Sequence, residues 1–431
     1  MKNICEASGT GGVDGASVRG LMKALACACV VAAGGATPLV GAVTYSGATY
    51  WNTPSGPGAL AATCSVTLPD EQPLTVPRTL VVGNDVPNGI EIFSWGYGEW
   101  SSDVVLSCVG SGIAGPSTAI AGFNPQITFQ MLNASGGPGV ALNNPGLRLN
   151  IWIRPDISST PCNSSGCSVT DNNYTLYGQL SGSTGFINAG QDKLLNGYAN
   201  SPSYVYQMIN APVIPGIGRF YPTITGRYSI RVSIVKVGNV NYGPLSVSGL
   251  LPGFSVNGTW VRSLFQGSGI TIAPPACRLK TTDYTIPMGR WAADAIKYVG
   301  TPVYGSQVPV NLPLECSGKV NHVRFRFEDT GTSLSGNKNI SLYDTAGGNK
   351  IDGLEIELFY NGTKVNVDNT TVIDTGSHGA TKASPASLPL YDSVSTAGFY
   401  ARYVQNTAVT RTGANFTGPV TGKVNMYVTY D

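Results

Sequence analysis

The chain has 431 residues, 42% of them apolar, enough to bury a core in each of two or three domains and too much for a single small module. Charged residues make up only 12%, against an ordinary ~25%, and 55 glycines stand well above the usual ~7%, so long solvated helices held by i,i+4 ion pairs have little material and the composition points to an all-β protein. Lys+Arg 26 against Asp+Glu 24 leaves a formal charge of +2, far from the basic excess that a row of phosphates demands, which excludes nucleic acid as a partner.

At the N-terminus Arg19 and Lys23 precede the apolar stretch Ala24–Ala33, and Val40-Gly41-Ala42 closes the segment with small residues. That order predicts a secretory signal peptide over residues 1–42, cleaved after Ala42, with an apolar core too short to span a bilayer. Met22 is an alternative start for the same leader. Removing the leader takes away Cys5, Cys27 and Cys29 and leaves Cys64, Cys108, Cys162, Cys167, Cys277 and Cys316. An even number in an exported chain predicts three disulfides, most economically Cys64–Cys108, Cys162–Cys167 and Cys277–Cys316. Zinc is disfavoured because no CxxC occurs and both histidines, His322 and His378, lie beyond residue 320. No metal and no cofactor is expected.

Along the chain, period-2 alternation predicts half-buried strands. In Leu147–Ile153 the odd positions are aliphatic, and in Arg227–Ile234 the even ones are. Turn clusters such as Asn84–Gly89 and Ser135–Gly139 separate such runs at the spacing of a β-sandwich. The one helix the pattern suggests is short, over Arg290–Ile296. Residues 266–269 followed by Pro274-Pro275 read as a linker, dividing the mature chain into domains 43–268 and 269–431. On each side of it two cysteines recur at 44 and 39 residues' separation, the second ending an alternating run, as expected of two sandwiches each stapled near its start. In the chain-entropy picture each such loop closure is worth roughly 4 kcal/mol.

Two N-terminal segments combine aromatic faces with polar groups, the chemistry a sugar site needs. The first, Phe93–Asp103, contains Trp95, Tyr97, Glu99 and Trp100 around two glycines; its alternative is core packing at a strand end. The second is the Cys162–Cys167 loop leading to Asp171, Asn172 and Tyr174, whose alternative is a surface staple. Nucleophilic catalysis is disfavoured because neither histidine lies in this half of the chain. Glu99 with Asp103 is the only carboxylate pair suggestive of a glycosidase, and no enzymatic activity is expected.

From Ala276 onward the motifs resemble the pilin domain of chaperone–usher fimbriae. Ala276-Cys277-Arg278-Leu279 with Asp283–Gly289 is similar to that family's first strand, and Val308–Cys316 to its second cysteine strand. Phe327-Glu328-Asp329, Gly353–Leu358 and Tyr400–Gln405 follow in the family's order. The resemblance implies an immunoglobulin-like sandwich lacking its last strand. It implies that Gly418 and the alternating Val424, Met426, Val428 and Tyr430, ending at Asp431, form the strand read by a periplasmic chaperone. The open groove would then be filled by the chaperone, and after passage through an outer-membrane usher by the donor strand of the next fimbrial subunit, a case of β-augmentation. A shaft subunit would carry a donor strand within some 20 residues of its first cysteine, whereas more than 220 residues separate Ala42 from Cys277. By resemblance this is the arrangement of a two-domain tip adhesin, exported through the periplasm to the fibre tip. Leu74–Pro77 through Asn84–Gly89 loosely resembles the opening strands of fimbrial lectin domains. A surface glycan is the favoured receptor; a matrix-protein receptor and a fibre-initiating minor subunit are the alternatives.

Overall fold

The computed structural model describes residues 42–431 except 117–119, 124, 126, 131–136, 160–161, 164–165, 168–175, 181–191, 198–202, 209–212, 215–217, 220, 222, 250, 258, 293–297 and 383–389. The leader prediction therefore lies outside the described residues. Two-residue bridges apart, the N-terminal strands in chain order are β1 (Val43–Thr53), β2 (Gly56–Leu68), β3 (Arg78–Val81), β4 (Glu91–Trp95), β5 (Val104–Gly110), β6 (Ile120–Gly122), β7 (Ile127–Gln130), β8 (Leu147–Ser159), β9 (Leu176–Leu180), β10 (Ser203–Met208), β11 (Ile224–Lys236), β12 (Gly243–Leu245), β13 (Gly253–Val256), β14 (Thr259–Arg262) and β15 (Ile270–Ala273). They are followed by β16 (Cys277–Leu279), β17 (Val308–Cys316), β18 (Val323–Asp329), β19 (Ile340–Tyr343), β20 (Lys350–Tyr360), β21 (Thr363–Val365), β22 (Asp368–Asp374), β23 (Ser393–Arg411) and β24 (Val424–Tyr430). The protein is all-β: among the described residues the one helical element is a 3-10 turn at Pro73–Thr75. Arg290–Ala292, where a short helix was expected, are not helical, and the rest of that stretch lies outside the described residues.

The predicted alternation sets the inner faces. Leu147, Leu149, Ile151 and Ile153 of β8 are buried, as are Tyr228, Ile230, Val232 and Ile234 of β11. These two strands pair antiparallel at one end of a sheet that runs β8-β11-β5-β2-β1-β6, with β4 also paired to β11. A second sheet, β9-β10-β7-β13-β14, supplies Phe129 and Phe254 to the same core.

A second core gathers around β16-β17-β23-β20-β19 and a three-stranded sheet β22-β18-β24. Each core contains its predicted disulfide, Cys64–Cys108 joining β2 to β5 and Cys277–Cys316 joining β16 to β17. Cys162 and Cys167 are register partners in a two-residue ladder; their side chains, and with them the third expected disulfide, lie outside the described residues.

Residues 266–269 lie outside any strand, as a linker would, but the segment between them and Pro274-Pro275 does not. Ile270–Ala273 is a strand, parallel to β3 on one side and antiparallel to β12 on the other. Ile270 and Ile272 are buried in the N-terminal core. Glycines before this strand and prolines after it gave it the look of a linker, but the two isoleucines two residues apart bury a full strand face. The N-terminal core thus extends through Ile272, and residues 274–276 separate β15 from Cys277. Across the junction Thr381 donates a hydrogen bond to the Asp85 carboxylate.

Candidate functional site

The Phe93–Asp103 segment divides between core and surface. Trp95 stands opposite Val232 in the β4–β11 ladder and therefore points inward. Its ring lies 4.9 Å from that of Trp100, which in turn packs 5.0 Å from Phe265. Trp95 is 7% exposed and Trp100 is 0%, so neither indole offers a face to a sugar. The core alternative holds for both: strand parity turns one inward, and the tight turn that follows tucks the other beneath the sheet.

That turn is held by Glu99, whose carboxylate accepts the Gly96 N–H at 2.6 Å, and by Gly98 at φ +78°, a left-handed conformation that favours glycine. Glu99 itself is exposed. Tyr97 takes the opposite course from its tryptophan neighbours. Its ring lies under the guanidinium of Arg154, 4.1 Å from Cζ to centroid. Burial, followed by the nearby Asp192 carboxylate, raises the Tyr97 hydroxyl's pKa well above the ordinary tyrosine value.

Beside this pair, Arg231 stacks on Trp152 at 4.3 Å, and its Nη2 donates to both oxygens of Glu91 at 2.8 Å. Ser229 donates to Asp103 at 2.6 Å. The even residues of β8 and the odd residues of β11 thus build an outward face of arginines and aromatic rings. Trp152, Arg154 and Arg231 were not among the expected site residues. Their signal was present in the same alternation that marked Leu147–Ile153, since inward aliphatics at odd positions place Trp152 and Arg154 outward. Asp171, Asn172 and Tyr174 lie outside the described residues.

At the other end of the molecule, β24 runs antiparallel to β18, with Met426 opposite Phe327, Val428 opposite Phe325 and Tyr430 opposite Val323. Among the described residues no strand pairs with its other edge. Its inward row is incompletely covered: Val424, Met426 and Val428 are half-buried although they pack on the second core, and Tyr430 is 38% exposed. Leu279, Tyr284 and Met288, on and after β16, are half-buried against that core in the same way. On the outward side Tyr427 donates to Glu328 at 2.6 Å, and Asp431 pairs with Arg324 at 3.0 Å. Gly418 is exposed and lies ahead of β24, outside any strand.

Residues 267–431 match the family model described as Fimbrial protein. No curated protein matches the chain. Among solved structures it is similar to the CupB6 tip adhesin from Pseudomonas aeruginosa, at 14% identity over 85% of this chain and 93% of that one, with a TM-score of 0.39. It is also similar to the P pilus rod subunit PapA, at 18% identity over 37% of this chain and 100% of that one, TM-score 0.25. A third similarity is to the CsuC–CsuE chaperone–tip adhesion subunit pre-assembly complex from Acinetobacter baumannii, at 14% identity over 82% of this chain and 98% of that one, TM-score 0.22.

Proposed function

We propose that the protein is a tip adhesin of a chaperone–usher fimbria, made of an N-terminal receptor-binding domain and a C-terminal domain completed by a strand from another polypeptide. The observation that carries this reading is β24, a strand within the residues that match the fimbrial-protein model, with no strand on its other edge among the described residues and a half-buried apolar row. An edge of this kind beside half-buried valine and methionine side chains invites an added strand, which would extend the ladder and cover those side chains. A periplasmic chaperone supplies that strand first and the next fimbrial subunit supplies it in the fibre, after passage through the outer-membrane usher. The N-terminal domain binds a surface glycan non-covalently. Its role is attachment and not catalysis.

One observation favours a protein receptor instead. Residues 43–69 and 104–147 carry no charged side chain, and β1, β2 and β5 lie side by side with Thr44, Ser46, Thr63 and Val109 exposed. A broad uncharged face of this kind has little desolvation to overcome when it meets another protein.

The test of assembly is expression of the full chain in a periplasm with and without a co-expressed fimbrial chaperone. Stable, soluble chain should accumulate only with the chaperone, and Tyr430→Ser should lower recovery of the complex. Abundant monomer without a chaperone would refute strand completion.

A further inference from the structure

We propose that the outward face of β8 and β11 is a binding site for a saccharide bearing a carboxylate, with the Arg154 guanidinium as its anchor; this rests on the glycan-adhesin reading above. Four arginines, Arg148, Arg154, Arg227 and Arg231, occupy outward positions of these two strands, out of nine Lys and Arg in residues 43–273. They differ in how they are already engaged. Arg231 is neutralised by Glu91, and Arg227 already has a partner of its own. Arg154 is exposed, and among the described side chains no carboxylate lies within ion-pair distance of it.

Stacking on Tyr97 orients that guanidinium without using its N–H groups. A guanidinium laid flat on a ring keeps its donor edge free, and that edge fits both oxygens of a carboxylate in two parallel hydrogen bonds. Tyr97 is itself fixed by the Glu99-held turn, so little side-chain entropy remains to be lost when a ligand arrives. Asp192, exposed beside the Tyr97 hydroxyl, supplies an acceptor for sugar hydroxyls and tells against a bare inorganic anion. Trp152 and Arg231, braced by Glu91, form the neighbouring wall. Together these groups suit a ring with one anionic substituent and several hydroxyls better than a neutral sugar, which would leave the Arg154 edge unused.

The experiment is binding of the purified full chain to an array of neutral, sialylated, uronate-containing and sulfated glycans. Retention should be confined to carboxylated members and should fall when the carboxylate is converted to its methyl ester. Arg154→Gln should weaken binding roughly 10- to 100-fold, the range expected for losing hydrogen bonds to a charged partner. Arg154→Lys, which keeps the charge and loses the fork, should restore only part of it. Since Arg154 is exposed, neither change should alter the thermal unfolding midpoint. Equal binding to neutral or sulfated glycans, or unchanged binding by Arg154→Gln, overturns the site and leaves the glycan-adhesin reading standing. No glycan binding at all, with saturable binding to a matrix protein, overturns both.

Discussion

At the residue scale, two side chains show how burial reassigns roles. Trp100 has the neighbours of a ligand-binding residue in sequence, two glycines and two acids nearby, yet its ring is enclosed by Trp95 and Phe265. Replacing it by alanine leaves a large cavity, so Trp100→Ala should lower the unfolding free energy of the N-terminal core by about 3–5 kcal/mol. Chemical denaturation followed by intrinsic fluorescence measures this, and an unchanged midpoint with lost ligand binding would contradict the core assignment. His378 makes a different point. It is buried between Thr375 and Ser395, each 2.9 Å from one ring nitrogen. Burial lowers its pKa, outweighing a backbone hydrogen bond at Thr375 and the Asp374 charge, which both pull the other way. The unfolded chain therefore takes up the proton more readily than the folded one, and acidification through about 6.5 favours unfolding. The C-terminal part of the chain, which holds His378, should lose stability as pH falls from about 7 to 5. His378→Gln should flatten that slope in denaturant titrations at several pH values.

At the element scale, β15 decides where the N-terminal unit ends. It sits between β3 and β12, and Arg78 and Val82 extend its ladder with backbone hydrogen bonds to Gly269 and Ala273, at 3.1 and 3.0 Å. Cutting the chain at residue 268 removes this strand, uncovers the buried Leu80 and Leu245, and leaves the β3 edge unpaired. A fragment spanning residues 43–268 should therefore be aggregated or protease-sensitive, whereas one spanning residues 43–275 should resist proteolysis and unfold cooperatively. Equal behaviour of the two fragments would show that β15 is dispensable.

For the whole molecule, what the sequence determined by itself was local and periodic. Residue-by-residue alternation made the inward rows of β8 and β11 legible, because a strand's side chains switch faces at every step regardless of what packs on them. Cysteine counting identified the Cys64–Cys108 and Cys277–Cys316 pairs, and the ordered motifs from Cys277 to Tyr430 fall within the stretch that matches the fimbrial-protein model. Position in three dimensions decided the rest. Trp95 and Trp100 look alike as sugar platforms or as core residues until a second sheet is brought over them. Ile270 and Ile272 look like punctuation between domains until β3 and β12 arrive from residues far away in the chain. Arg154 becomes a candidate anchor only because a turn more than 50 residues earlier places Tyr97 beneath it. Periodicity is carried by neighbouring residues and survives in the sequence; burial and pairing depend on long-range partners, and no local pattern records which partners the folded chain supplies.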